Sequence, residues 1–545
     1  MSTKQNVELE DVWAHVATGI KMVFDYETMQ PDKWMQLHSL VYDYCTNVNN
    51  YSAGSRPNPV VQRNSDDGEG ANVIGKKLYM RLKQSLSDYL QNLRRNDCQR
   101  QDEYTVLSLY CENWIKYQFC SRVINGIFSY INRHWVAREL KNQSKAEKQS
   151  IYEVFELALF VWKHVYFEPV NTQVTNACLN LIQSERNNEV IPSRLISNAI
   201  ANYVTLGFNE ASPLYIYQTY FEKQFLMATE HYYKIESATF LMSNSVTDYL
   251  SKVETRLNEE ERRITYLHQS SLASLIRICE NVLIKDHLTE IYAEAKLLLN
   301  NDNNQALAKL FKLISRVPNA TTGLKSITEE HIHSKGLEAM EDISIQTATN
   351  NDDPKPYVEK ILEQHKKYLT LVEESFDSDR GFLTALDRAC SKFINQNAVT
   401  GINIKKTPQL LASYCHILMK KGEKTAANNE IEDVLNQIMI VFNYIQDKDV
   451  FENFYGKLLA KRLVSKVSAS DELEENMISK LKSVCGFEYT SKLQRMFQDI
   501  TVSRDLVEQY LKQRQLSLDF SIIVLRTNVW PFTPPHTFIV PNEVS

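Results

Sequence analysis

The chain has 545 residues, and 61 basic against 67 acidic side chains leave a formal net charge of only -6, so no global field draws it to nucleic acid or to an anionic membrane. Glycine and proline number 14 each while 43% of residues are hydrophobic, a composition that suits several units built from long, rarely broken helices. Nine cysteines stand singly, with no CxxC pair, which is the usage of reduced thiols in cytoplasm and nucleus rather than of a disulfide framework.

The first residues, MSTKQNVELEDVW, contain no basic stretch leading into an apolar one, and no secretory signal is expected. Residues 49–75 gather Gly54, Gly68, Gly70 and Gly75 with Pro57 and Pro59, and read as a mobile polar loop between two helical stretches. From residue 76 to about 515 helix follows helix, with short joints at Pro169, Pro192, Pro213, Pro318, Pro354 and Pro356. The most apolar run, LALFVW at 157–162, is flanked by Glu153, Glu156 and Lys163 and falls far short of the ~20 residues that cross a membrane. In SVTDYLSKVETRLNEEERRI, Ser245 and Asp248 have capping-box spacing, and Val246, Tyr249, Leu250, Val253 and Leu257 follow on one face. Helices of this kind can stack pairwise into an elongated body, because each buries its one apolar stripe against the next pair.

Towards the end, KDVFENFYGKLLAKRLVSK at 448–466 sets Phe451, Phe454, Leu458, Leu459 and Leu463 at helical spacing beside Lys457, Lys461, Arg462 and Lys466. Its reading is an amphipathic helix with Phe454, Leu458 and Leu463 inside and Lys457, Lys461 and Arg462 outside. The pattern then changes. In LSLDFSIIVL, Leu518, Phe520, Ile522 and Val524 alternate with Ser517, Asp519, Ser521 and Ile523, a period of two that predicts a strand, with Trp530 and Phe532 close behind.

Catalytic chemistry is not visible. His331 and His333 sit two apart, an offset that points them in different directions on a helix and argues against a metal pair. His134, in INRHWV, has the surroundings of a packed or hydrogen-bonded histidine, and Cys485, in SVCGFEY, reads as a buried structural thiol. There is no phosphate-cradling glycine loop, no GxSxG and no HExxH. A non-catalytic protein without cofactor or metal is expected.

Residues 428–500, with KLLAKRL, MISKLK and CGFEYTSKLQRMFQD, closely resemble the homology region of the cullin family, and EQHKKYLTLVEESFDSDRGFLTALDRACSKFIN is similar to the end of a cullin's helical-repeat stalk. VYDYCTNV, GIFSYINRHWV, IYEVFELAL and QVTNACLNLI are similar to the cullin-one-like subclass of SCF ubiquitin ligases, a likeness that runs along essentially the whole chain. The fold this resemblance implies is all-α: three five-helix cullin repeats (1–150, 151–275, 276–400), a four-helix bundle (401–512) and the first strands of an α/β subdomain (513–545). The implied function is a rigid scaffold that holds an adaptor with its F-box substrate receptor at one end and a RING subunit at the other. Catalysis then comes from the raised effective concentration of a ubiquitin thioester near the substrate.

By the same resemblance the adaptor surface draws on WMQLHSLVYDY, giving Trp34, Met35, Leu37, His38, Val41 and Tyr42, with Leu37 and Val41 equally able to face the repeat's own core. Trp34 and His38 stand where tyrosine is typical of the subclass, which bears on adaptor choice. Tyr130, Arg133 and His134 are further candidates on the fifth helix. Leu518, Phe520, Ile522, Val524 and Trp530 are those for the RING subunit, which in the family adds a strand to the cullin's sheet. A cullin exchange factor is a further implied partner; nucleic acid and membrane are not. The winged-helix domains and the lysine that receives the ubiquitin-like modifier have no counterpart in these residues. The chain as given is therefore expected not to support ubiquitin transfer, and an adaptor-sequestering decoy is the alternative reading.

Overall fold

A computed structural model describes residues 9–27, 29–47, 69–97, 102–142, 151–347, 353–401, 403–421, 428–513 and 521–532. Among them the regular structure is helical, with one isolated antiparallel bridge between Lys420 and Ser468. The chain divides into two compact units: residues 1–239 with 255–282, and residues 240–254 with 283–545.

The first unit begins with α1 (Leu9–Phe24), α2 (Pro31–Asn47), α3 (Glu69–Asp97) and α4 (Glu103–Ile127). Pro31 opens α2, where its missing N–H is one that no helical carbonyl would have met. Asp102 caps α4, its carboxylate accepting from the Thr105 amide at 3.0 Å. Helix α4 runs through the middle, packed against α1, α2 and the helices Val154–Val161, Glu168–Arg186 and Ser193–Thr205. The core there is aromatic: Tyr110, Trp114, Tyr117, Trp162 and Tyr166 are all buried, with Trp162 and Tyr166 stacked at 4.5 Å. Deeper in the unit, Glu260 is completely buried yet held by Arg186 at 2.8 Å, Arg263 at 2.7 Å and the Tyr233 hydroxyl at 2.5 Å. Burial works against its carboxylate, but the two guanidinium groups outweigh it and keep the carboxyl's pKa below its usual value.

Two expectations for this unit need correction. The polar loop placed at 49–75 lies outside the described residues up to 68, but 69–75 is already helix in α3. Gly75 is no breaker; it sits where the Trp135 ring crosses α3, so close that an added Cβ would meet the ring at 2.6 Å. Pro169 is no joint either. The chain passes from Val154–Val161 through a π-helical turn, Trp162–Phe167, into Glu168–Arg186. Proline cannot donate to the carbonyl four residues back, and Arg94 supplies that bond instead, its Nη1 lying 2.9 Å from the Val165 oxygen.

In the second unit the capping box is present as expected. The Asp248 amide donates to Ser245 Oγ at 3.1 Å and that hydroxyl donates to the Asp248 carboxylate at 2.7 Å. Tyr249, Leu250, Val253 and Leu257 follow as buried residues. Helix Ala320–Thr347 packs along Arg380–Asn395, and Lys406–Met419 along Lys448–Val464. His331 stands edge-on to Tyr368, and no group of residues fit to hold a metal ion occurs among the described residues. Cys485 is half-buried rather than enclosed, because helix Asp471–Cys485 ends there at Gly486.

The helix Lys448–Val464 carries the largest correction. Phe451, Leu459 and Leu463 are buried and Lys457 and Lys461 exposed, but Phe454 and Leu458 are only half-buried, and Arg462 is not outside. It is completely buried, its Nε 2.7 Å and Nη2 2.9 Å from the two oxygens of an equally buried Glu474, with Tyr455 beneath the guanidinium. This two-pronged pairing with a partner on the next helix is what lets an arginine enter a core.

Candidate interaction surfaces

Along α2 the helical period separates two sets of side chains. Leu37, Val41 and Tyr44 are buried. Leu37 rests on α1 at Gly19, where an added Cβ would come within 2.3 Å of Leu37 Cδ1. That close approach seats α2. Leu37 and Val41, named above as adaptor candidates, therefore belong to the repeat's own core and are not open to a partner.

The other set faces out. Met35 and Tyr42 are exposed, and Trp34 and His38 half-buried. Trp34 lies over Gly126 of α4, and its ring stacks on His38 at 5.7 Å and 17°. His38 Nε2 is 3.2 Å from Ser129 Oγ, and Tyr42 meets Tyr130 edge-on at 5.0 Å. Tyr130 in turn packs on His134 at 4.3 Å. Partial burial, with Cys45 and Tyr42 beside it, raises the Tyr130 hydroxyl above its usual pKa. The result is a line of rings from Trp34 to His134, amphipathic bodies with polar tips, which is the composition of protein-interface anchors.

Tyr130, Arg133 and His134 reach this line by an irregular path. After α4 the chain continues through a short helical stretch, Ser129–Ile131, and a π-helical turn, Asn132–Val136. The turn is held by amide side chains: Asn132 Nδ2 donates to Asn125 Oδ1, while Asn132 Oδ1 accepts from the Val154 amide at 2.9 Å and Asn125 Oδ1 from the Phe155 amide at 3.1 Å. Arg133 and His134 are consequently exposed, and His134 is packed on Tyr130 at the surface rather than inside the core. The sequence reading missed Tyr26 and Phe119, both exposed and stacked at 6.0 Å. Phe119 lies two turns before Gly126 on α4, and that i, i+7 offset was the available signal.

At the other end, Leu518 and Phe520 lie outside the described residues, while Ile522 and Val524 are exposed in a segment, 521–526, that pairs with no strand among those described. The segment lies instead on helix Phe487–Gln513. Val524 exchanges both backbone bonds with Ser503 Oγ, and buried Asp499 accepts the Arg526 amide at 3.0 Å and the Trp530 indole at 2.9 Å. Residues 521–523 also wall a cavity of about 340 Å³ with Lys466, Ile500 and Val507.

Amphipathic helices packed on one another and an exposed aromatic line are features of a helical protein-interaction fold. Comparison with known families gives the particular one. The model of the cullin α-solenoid domain matches residues 13–507, and the chain belongs to the cullin family. It is 42% identical to Cullin-1 of Dictyostelium discoideum, over 99% of this chain and 71% of that protein. It is 37% identical to Cullin-1 of Caenorhabditis elegans, over 99% of this chain and 72% of the relative. With cell division control protein 53 of Saccharomyces cerevisiae it shares 30% identity over 98% of this chain and 70% of the other.

Proposed function

We propose that the chain is the non-catalytic scaffold of an SCF-type cullin–RING ubiquitin ligase, working in cytoplasm and nucleus. In this reading the aromatic line Trp34, His38, Tyr42, Tyr130 and His134, with Met35 and Arg133 beside it, binds an adaptor carrying an F-box substrate receptor. The segment around Ile522, Val524 and Trp530 meets a RING subunit, and a cullin exchange factor is a further partner. The observation that carries the reading is the split on α2: Leu37 and Val41 hold the helix in place while the aromatic rings beside them are left unburied. Large side chains kept at a surface by a rigid seat are what a binding face needs, since little ordering entropy remains to be lost on association.

Two binding experiments test this. A purified adaptor–F-box pair is expected to bind the folded chain, and Tyr42→Ala with Tyr130→Ala is expected to weaken that binding. A purified RING subunit is expected to bind independently. Adaptor binding without RING binding would favour the sequestering decoy instead.

A further inference from the structure

Helix Glu168–Arg186 carries no charged side chain between its first residue and Glu185. Its outward positions are amides instead. Gln173, Asn176, Asn180 and Gln183 are exposed, and Asn187 follows at the helix end, at offsets of three, four, three and four that keep all five on one face. A merely solvated face has no need of this, since asparagine is a poorer helix former than lysine or glutamate. Gln173, Asn176 and Gln183 leave their carboxamides without a hydrogen-bond partner among the described residues. Three of the amides also line a groove. Asn176, Asn180 and Gln183 border a cavity of about 250 Å³ to which Leu179, Ile182 and Ala228 add apolar surface, and Tyr232, Arg186 and Glu103 polar groups. Arg186 is already engaged, with Glu260 and Thr229 each at 2.8 Å and the Tyr232 ring centre at 5.3 Å. Glu103 is exposed and meets no cation among the described residues; its Oε2 accepts from Asn180 Nδ2 at 2.5 Å.

We infer that this groove binds an extended peptide segment carrying a lysine or arginine, with the peptide backbone laid along the amides and the cationic side chain at Glu103. A carboxamide offers a donor and an acceptor together, as a peptide group does, so each amide can pair with an N–H and a C=O of a passing chain. The spacing agrees. Asn176 to Gln183 is seven residues of helix, a rise of about 10 Å, which is the length of about three extended residues. The volume agrees as well, since it falls below the roughly 300–1,000 Å³ of small-molecule sites and suits the side chains of a chain lying across Leu179, Ile182 and Ala228. Charge selects the occupant. By turning its Nδ2 to Glu103, Asn180 leaves its Oδ1 as an acceptor, and that oxygen with the carboxylate makes a seat for an ammonium or guanidinium group. The groove shares no residue with the aromatic line, and the inference does not rest on the function proposed above.

A library of random displayed peptides, selected on the whole chain and counter-selected on its Asn176→Ala, Gln183→Ala variant, tests this directly. Both side chains are exposed and without a partner in the fold, so the variant is expected to melt at the temperature of the parent. Peptides with a lysine or arginine are expected to be enriched. Resynthesised, such a peptide is expected to bind the double variant at least about tenfold more weakly, the worth of about one hydrogen-bonded pair. Methylating its backbone nitrogens is expected to cost about as much, which a purely side-chain contact would not show. Glu103→Lys is expected to abolish binding of the basic peptide and to restore it when the peptide's cation is exchanged for glutamate. Failure to enrich any peptide, enrichment of acidic or uncharged ones, or affinity unchanged by the double substitution or by backbone methylation overturns the inference. So does a basic peptide that binds the Glu103→Lys chain as tightly as the parent.

Discussion

Helix α2 and the helix Lys448–Val464 are each 17 residues long, and both mix aliphatic, aromatic and charged side chains. On α2 the core-facing residues are aliphatic or tyrosine and the aromatic line stays at the surface; on Lys448–Val464 an arginine goes to the core and half the aliphatics stop short of it. The difference lies off the helices. The charged residues of α2, Asp32, Lys33 and Asp43, all stay exposed, whereas Glu474, 12 residues past Arg462, arrives with both carboxylate oxygens aligned. A hydrophobic period therefore reads a helix correctly only where the facing element is apolar.

The sharpest way to break this comparison is at the charge pair. Removing one partner strands the other in the core, and Glu474→Ala is expected to cost about 3–5 kcal/mol of stability, measured by urea unfolding. Arg462→Glu should be as damaging, while Lys461→Glu, on the exposed neighbour, should change stability by less than about 0.5 kcal/mol. Equal tolerance of the two reversals would return Arg462 to the surface. On α2 the expected pattern is the opposite, with binding affected and stability spared. Tyr42→Ala is expected to lose about 2 kcal/mol of adaptor binding, roughly thirtyfold in affinity, by titration calorimetry with the melting temperature nearly unchanged.

Gly19→Ala probes the seat beneath that surface. Its new Cβ would press on Leu37, and a loss of about 1–3 kcal/mol is expected in thermal unfolding, with adaptor binding weakened alongside. A cap is a smaller matter: Ser245→Ala should cost about 1 kcal/mol by the same measurement. Smaller still is the effect of His365. Burial lowers its pKa below the ordinary 6.5, while its Nε2 meets the Tyr444 hydroxyl at 3.2 Å. Because the unfolded chain takes up this proton first, the contribution is intact above pH 6.5 and is lost as the pH falls below it. His365→Asn is expected to flatten the decline of melting temperature between pH 6.5 and lower values, and an unchanged slope would count against it.

Much of this was legible beforehand where physics is local. Ser245 and Asp248 announce a helix start, and the run of short-range periods along the chain gives helix after helix without any structure. KLLAKRL and CGFEYTSKLQRMFQD give the family. What stayed hidden depends on partners distant in sequence. Gly75 reads as a breaker until Trp135 is seen to need the space; Pro169 reads as a joint until Arg94 replaces the missing bond; Arg462 reads as surface until Glu474 is found beside it. In the proposed binding face, the offsets of Trp34, His38 and Tyr42 were visible, but the π-helical turn at Asn132–Val136 that brings Tyr130 and His134 to them was not, because it is fixed by bonds to Val154 and Phe155. Phe119 was passed over for the same reason: its stacking partner, Tyr26, comes from the turn after α1.

The central claim is that α2 is seated by its aliphatic residues in order to offer its aromatic ones to an adaptor. The most direct measurement is the affinity of a purified adaptor–F-box pair for the folded chain and for its Tyr42→Ala, Tyr130→Ala variant. The account predicts binding to the first and a loss of at least about thirtyfold in the second at unchanged melting temperature. A well-folded chain that binds no adaptor, or a variant that binds as tightly as the parent, would contradict it.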